Sequence, residues 1–373
     1  MWVAMTIRFN FMGVVVAALL AYIGLRLLAP FPTPVQAIGA AALAGLYFLL
    51  PKGWHVPAGW LGPMVPWVAT GFFSWLLVLT LIREVTVLGA WVLLPPETLE
   101  GWIRHSAAAV LAFTPAITAV GYAMARRVAR VVDVRVPVPG LHEALEGFTI
   151  AQISDVHVGP TIKRDFVEGI VARVNSLDAD VIAITGDLVD GSVRQLSRHT
   201  EPLGRLVSRH GTYVVTGNHE YYSGAHSWIA ELERLGARVL MNEHVVIERA
   251  GGRIALAGVT DYSAHHFDPR HRSDPRAALE GAPADAVKVL LAHQPRTAPH
   301  AHEHGYHLQI SGHTHGGQFW PWNHFVKLQQ PFTAGLHRLG EMWIYISRGT
   351  GYWGPPMRFG SPSEITRIRL VRA

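Results

Sequence analysis

The chain contains no cysteine, which excludes disulfides and thiolate metal ligands. Charged residues make up 16% of it, well below the roughly 25% of an ordinary globular protein. Acidic side chains are the scarcer sign, 27 against 32 basic ones, for a net charge of +5. That excess invites a nucleic-acid reading. However, no basic run interleaved with aromatics stands out, and basic residues beside apolar helices attract anionic lipid more simply. The shortage of charge is also uneven, being concentrated in the first third, where Ala, Leu, Val, Trp and Gly dominate.

Four segments there, residues 11–29, 35–50, 64–82 and 105–125, are each near the roughly 20 apolar residues that cross a bilayer, the second being short. Four in succession exclude a cleaved signal peptide and predict a polytopic membrane anchor over 1–130. Residues 85–94 are apolar but too short to span alone; they extend the third helix, lie in the interface, or re-enter the membrane. With four spans, Arg8, Lys52, Arg126, Arg127 and Arg130 fall on one side, and Arg26, Arg83 and Arg104 on or near the other. The positive-inside bias then predicts a cytoplasmic C-terminal domain.

From 131 to 373 the pattern changes. "VVDVRVPVPG" alternates and ends in Pro-Gly, as an edge strand would. Strand-like runs follow at 148–153, 181–185, 213–216, 245–248, 254–257, 287–291, 307–310, 343–347 and 366–370, with helical spacing at 162–177 and 227–235. Strands interleaved with helices predict an α/β sandwich with mixed sheets.

Polar residues recur just after these strands: Asp155 and His157 in "ISDVHVG", Asp187 and Asp190 in "TGDLVD", Asn218, His219 and Glu220 in "TGNHE", His293 in "LLAHQP", and His313 and His315 in "ISGHTHGG". Ligands of open α/β sheets bind beyond the carboxyl ends of strands, so the five loops are expected on one rim. Carboxylate, amide and imidazole without sulfur suit divalent ions such as Mn, Fe or Zn. In Asp155-Val156-His157 and His313-Thr314-His315, the alternation of an extended chain would turn both members to one side. Asp190 and Glu220 are candidates for orienting the imidazoles, with a turn or cap as the plain alternative.

The ordered set D-x-H, G-D-x-x-D, G-N-H-E, a lone His and G-H-T-H resembles the signature of the calcineurin-like metallophosphoesterase superfamily, from about residue 141 onward. "SRGTGYWGPPMRFGSPSEI" resembles the closing segment of its bacterial membrane-associated branch. The resemblance implies a four-layer αββα sandwich following an N-terminal α-helical transmembrane region. It implies one metal held by Asp155, His157, Asp187 and His315, and a second held by Asp187, Asn218, His293 and His313. Asp187 would bridge, and His219 would be an unliganded catalytic histidine beside the substrate phosphate. Two such ions, manganese favoured, would acidify a bridging water into a hydroxide that attacks phosphorus in line.

The expected function is therefore a membrane-anchored phosphoesterase acting on phosphate ester or pyrophosphate bonds of a lipid-linked substrate. A tethered phosphodiesterase for soluble nucleotides is the alternative within enzymes, and a non-catalytic membrane sensor or scaffold the alternative outside them. The His- and Arg-rich stretch "TDYSAHHFDPRHRSDPRAAL" reads either as a lid over an anionic substrate or as a solvated loop. Phe319, Trp320 and Trp322 read either as lipid contacts or as sheet packing.

Overall fold

The computed structural model describes residues 2–50 and 62–373, apart from the side chains of 2–10. Lys52 and the side chain of Arg8, both used above to orient the chain, lie outside the described residues. The chain divides into two compact units, residues 1–124 with 354–357, and residues 125–353 with 358–373.

The first unit holds α1 (Trp2–Leu28), α2 (Thr33–Leu49), α3 (Met64–Leu93) and α4 (Pro96–Ala125). Segments of α1, α3 and α4 are long and apolar enough to cross a membrane, whereas α2 has 17 residues. Helix α3 runs straight through Arg83 and Glu84, so residues 85–94 extend the third helix and its span does not stop at 82. The two charges are carried inside the bundle because they are paired. Glu84 accepts from Arg83 Nη1 at 2.8 Å and from Arg26 Nε at 2.8 Å, while Arg83 also donates to Ser106 Oγ and to the Ile103 carbonyl. Charged side chains inside a bundle are tolerated when they bind one another and backbone carbonyls in this way.

The second unit begins with β1 (Arg130–Val138), β2 (Thr149–Ile153), α5 (Arg164–Asn175), β3 (Val181–Thr185), α6 (Val193–Thr200), β4 (Thr212–Val215), α7 (Asn218–Ser223) and α8 (Ala225–Arg234). It continues with β5 (Arg238–Val239), β6 (Glu243–Arg249), β7 (Gly252–Gly258), β8 (Val287–Leu291), α9 (Ala298–Glu303), β9 (Leu308–Ser311), β10 (Gly335–Leu339), β11 (Met342–Ile346) and β12 (Glu364–Arg372). Two six-stranded sheets result, ordered β1-β12-β2-β3-β4-β5 and β10-β11-β9-β8-β7-β6. The "VVDVRVPV" strand is an edge strand, paired parallel to β12.

Alternation along each strand makes the layers. Ile150, Val181 and Val215 of one sheet meet Ile254, Val289, Ile310 and Tyr345 of the other in an apolar core between the sheets. Ala151, Ile153, Ile182 and Ile184 face outward onto α5, which buries Phe166, Val167, Ile170, Val171 and Val174 at helical spacing. Leu290 and Ile344 face the other way onto Ala298 and Ala301 of α9. Each such aliphatic side chain contributes about 1.5–3 kcal/mol on full burial, so the four-layer αββα sandwich follows from the period-2 pattern. β2, β3 and β4 run parallel, as do β7, β8 and β9, so in each sheet the carboxyl ends collect on one edge. Gln152 ties the sheets together there, donating from Nε2 to Thr185 Oγ1 at 2.8 Å and to the Ser311 carbonyl at 2.9 Å.

Candidate metal centre

Asp155 and His157 follow β2, Asp187 follows β3, Asn218 opens α7 after β4, His293 follows β8, and His313 and His315 follow β9. The structure brings their donor atoms into overlapping groups: Asp155, His157 and His315; His157, Asp187 and His219; and Asp187, His293 and His313. His315 and His313 therefore fall in different groups, with Asp187 grouped with His313 and, through His157, next to the group of His315.

The backbone reason differs from the one expected. Asp155, His157, Asp187, His313 and His315 have φ between 52° and 70°, left-handed rather than extended, so the i, i+2 pairs are aimed by turns and not by strand alternation. Non-glycine residues adopt this region at a cost that the surrounding structure must cover, and such residues cluster at functional sites. Two glycines make the approach possible. A Cβ at Gly217 would lie 2.2 Å from Asp187 Oδ1, and one at Gly312 would lie 1.9 Å from Ser154 Oγ and 2.3 Å from Asp155 Oδ2.

Hydrogen bonding sets which imidazole nitrogen faces the centre. His293 donates from Nδ1 to the Thr185 carbonyl at 2.7 Å, so the Nε2 lone pair points at Asp187 Oδ2, 3.1 Å away. His157 donates from Nδ1 to Asp190 Oδ1 at 3.0 Å, which turns its Nε2 toward the same Asp187 oxygen at 3.9 Å and toward His315 Nε2 at 3.0 Å. His313 Nδ1 stands 3.2 Å from His293 Nε2. Lone pairs aimed at a carboxylate and at one another repel unless a cation or a proton lies between them. Asn218 supplies a second sign of the same kind: its Oδ1 is buried with no hydrogen-bond partner among the described residues, an arrangement rare for a buried acceptor. The donor set thus fits divalent cations.

Electrostatics without a metal report the same crowding. Burial pulls the His157 imidazole down, but Asp190, Asp187 and Asp155 outweigh it and hold it at about 9. Burial likewise opposes the charge on His293, and Asp187, Asp155 and Asp261 override it, raising it well above the ordinary value. Burial pushes His313 down to about 3 and, with His157 and Arg358 adding to it, holds His315 well below its usual range. Asp155 is pushed up by burial, whereas Asp187, despite burial, is held well below the usual range by His293, His219 and His157. Protons held between carboxylate and imidazole are the ones a metal displaces on binding.

His219 is placed differently. Its backbone N–H donates to Asp187 Oδ1 at 2.9 Å, and its Nδ1 lies 2.6 Å from Asp190 Oδ1. Asp190 therefore orients two imidazoles, His157 and His219. Glu220 bonds no imidazole among the described residues; it caps α7 and accepts the backbone N–H groups of Gly217, Asp187 and Leu188 at 2.6, 2.9 and 2.7 Å, clamping the β3 and β4 loops together. Tyr222 and Trp353 border His219, their rings 5.2 and 5.8 Å from its own, and Phe267 extends this border, 5.5 Å from Tyr222. Tyr222, Phe267 and Trp353 are 63%, 52% and 41% exposed. In "FWPWNHF", Phe319 is buried and Trp322 is 44% exposed.

Sequence reasoning passed over Arg358. It is fully buried, donates to the carbonyls of Gly351, His315 and Arg348, and lies 3.1 Å from His315 Nδ1. Burial lowers its guanidinium to about 10, short of neutrality. The closing segment "PPMRFGSPSEI" carried the signal, a cation amid small and apolar residues, but no motif assigned it a place.

A family description for calcineurin-like phosphoesterases matches residues 148–317, a range that contains every candidate ligand. The chain is 40% identical over 282 residues to a transmembrane protein with metallophosphoesterase domain of Danio rerio, covering 74% of this chain and 64% of that protein. It is 41% identical over 227 residues to a metallophosphoesterase of Helicobacter pylori, covering 60% of this chain and 59% of the other. Against a metallophosphoesterase of Aquifex aeolicus the identity is 32% over 223 residues, with 59% of this chain and 84% of that one covered. The chain spans just over three-fifths of the length of the vertebrate relatives it matches.

Proposed function

The chain belongs to the calcineurin-like metallophosphoesterase family, and from that premise we propose that it is a membrane-anchored, dinuclear metal-dependent phosphoesterase. The observation that carries this reading is Asp187 Oδ2, which faces His157 Nε2 and His293 Nε2 at once, as an oxygen shared by two ions would. Asp155, His157 and His315 complete one position, and Asn218, His293 and His313 the other. Manganese, iron and zinc all suit this sulfur-free set of two carboxylates, one amide oxygen and four imidazoles, and manganese is the ion we assign.

Two divalent ions, when bound, neutralise phosphoryl oxygens and acidify water at neutral pH. The protein's own contribution is geometric. Asp190 fixes His157 and His219, and Glu220 and Arg358 hold the loops that carry the ligands. As water oxygen bonds to phosphorus and the ester P–O bond breaks, His219, when protonated, delivers a proton from Nε2 to the departing oxygen. Asp190 Oδ1, 2.6 Å from Nδ1, keeps that ring aimed.

The substrate we assign is a lipid-linked phosphate ester or pyrophosphate. The apolar helices of the first unit support it, as does the exposed aromatic border of Tyr222, Phe267 and Trp353 around the proton donor, where an apolar leaving group would lie. The catalytic domain is assigned to the cytoplasmic face of the bacterial inner membrane on the basis of Arg126, Arg127 and Arg130 after the last helix. Hydrolysis of bis-p-nitrophenyl phosphate by the detergent-purified chain, after chelation and return of Mn²⁺, tests the chemistry. Turnover that requires Mn²⁺ and disappears in Asp187→Asn is expected; equal turnover in the variant would overturn the reading.

A further inference from the structure

Outside the centre just described, a second constellation has ligand chemistry. His226 on α8 and Asp268 and His271 in the His- and Arg-rich loop bring one donor atom each within 4.8 Å of one another. Asp268 Oδ2 is the common point, 3.3 Å from His226 Nε2 and 3.9 Å from His271 Nε2. Donors around a tetrahedral ion with bonds of about 2.0–2.2 Å are roughly 3.3–3.6 Å apart, so sub-ångström shifts would bring all three into range. The second nitrogen of His271 is already engaged: Nδ1 lies 2.9 Å from Tyr221 Oη, which leaves Nε2 for an ion, the relation metal-bound imidazoles usually have to a neighbour.

We propose that His226, Asp268 and His271 bind a third divalent ion, zinc or another late first-row metal, which staples the 260–276 loop to helix α8. Two imidazoles and a carboxylate suit such ions better than magnesium or calcium. Water fills the fourth position, because the side chain of His226 is 69% exposed. The competitor is Arg270, whose Nη2 lies 2.8 Å from Asp268 Oδ2. That guanidinium is largely exposed and can swing into solvent, so the ion displaces it at little cost. The staple also fixes Phe267, which lies tilted against Tyr221 and edge-on to Tyr222, and thereby orders the aromatic border of the active site.

The site is independent of the assigned chemistry, and its test reads metal and loop rather than turnover. The chelated full chain in detergent is titrated with Zn²⁺ and its bound metal counted, alongside His226→Ala, Arg270→Ala and Asp187→Asn. His226→Ala is expected to hold one ion fewer than the parent, and Arg270→Ala to bind its weakest ion several-fold more tightly. Zn²⁺ should slow proteolysis within the 260–276 loop several-fold in Asp187→Asn and not in His226→Ala. Equal stoichiometry in the parent and His226→Ala, with proteolysis indifferent to Zn²⁺, would leave a hydrogen-bonded His–Asp pair and overturn the proposal. Because His226 is a surface side chain, loss of the fold is not the expected cause of either result.

Discussion

Asp190 is the sharpest place to perturb the centre without removing a ligand. Its Oδ1 accepts from His157 Nδ1 at 3.0 Å and from His219 Nδ1 at 2.6 Å, so Asp190→Asn keeps the shape and removes the charge. A hydrogen bond to an ionised group contributes about 1.5–3 kcal/mol and a neutral one about 0.5–1.5, a difference of roughly 1 kcal/mol per bond. Partial exposure of the Asp190 side chain, 20%, trims that value. The two bonds act on different readouts. Loss at His157 weakens the ion that this imidazole holds, by about tenfold with its reorientation included, as neighbours of ligand imidazoles generally do. Loss at His219 lowers kcat by a further factor of about five to ten at saturating metal. Calorimetric Mn²⁺ titration of the chelated protein measures the first, and diester hydrolysis at saturating Mn²⁺ the second. An Asp190→Asn protein with parental metal affinity and parental kcat would refute the claim that Asp190 orients these rings.

Four further outcomes follow from the same geometry. Asn218→Ala removes the buried oxygen that lacks a partner among the described residues; it should leave thermal stability of the metal-free protein within about 1 kcal/mol of the parent while weakening one of two bound Mn²⁺ ions at least tenfold, both read by titration and melting. Gly312→Ala places a methyl group 1.9 Å from Ser154 Oγ and should cost about 1–3 kcal/mol, read in the melting temperature, with partial recovery on adding Ser154→Gly. Arg358→Met preserves volume but strips the carbonyls of Gly351, His315 and Arg348 of their donor; about 3 kcal/mol or more should be lost, read by chemical denaturation. Tyr222→Ala removes about 1–2 kcal/mol of apolar contact, so KM for a long-chain phosphodiester should rise about tenfold while kcat for the p-nitrophenyl diester stays within a factor of two.

The parts of this site legible in the sequence are those that repeat a local rule. Apolar runs ending in Asp, His or Asn mark parallel strands whose carboxyl ends share an edge, so β2, β3, β4, β8 and β9, and the gathering of the candidate residues that follow them, could be read directly. The edge strand β1 was readable from its alternation and its Pro-Gly end. What escaped depends on tertiary context. Strand β10, with half-buried Leu336 and Leu339 on an edge, has too little apolar contrast to stand out. The left-handed backbone at Asp155, His157, Asp187, His313 and His315 overrides a local preference and cannot be inferred from residue type. Arg83 and Glu84 looked like the end of a span because charge usually ends one; Glu84 receives Arg26 as well as Arg83, and Arg83 reaches Ser106 and the Ile103 carbonyl, only once α1, α3 and α4 are packed. Glu220 caps the Gly217 N–H three residues back, as the cap alternative allowed, but its hold on Asp187 and Leu188, like that of Arg358 on distant carbonyls, is encoded by no spacing.

The claim on which all of this turns is that Asp187 joins two ions in one centre. Low-temperature electron paramagnetic resonance of the Mn²⁺-loaded chain measures it, because two manganese ions sharing a carboxylate oxygen give a spin-coupled spectrum, distinct from that of separate ions. The account predicts that coupled signal in the parent and its collapse to single-ion manganese in Asp187→Asn. A parent protein that binds Mn²⁺ and shows uncoupled ions alone would contradict it.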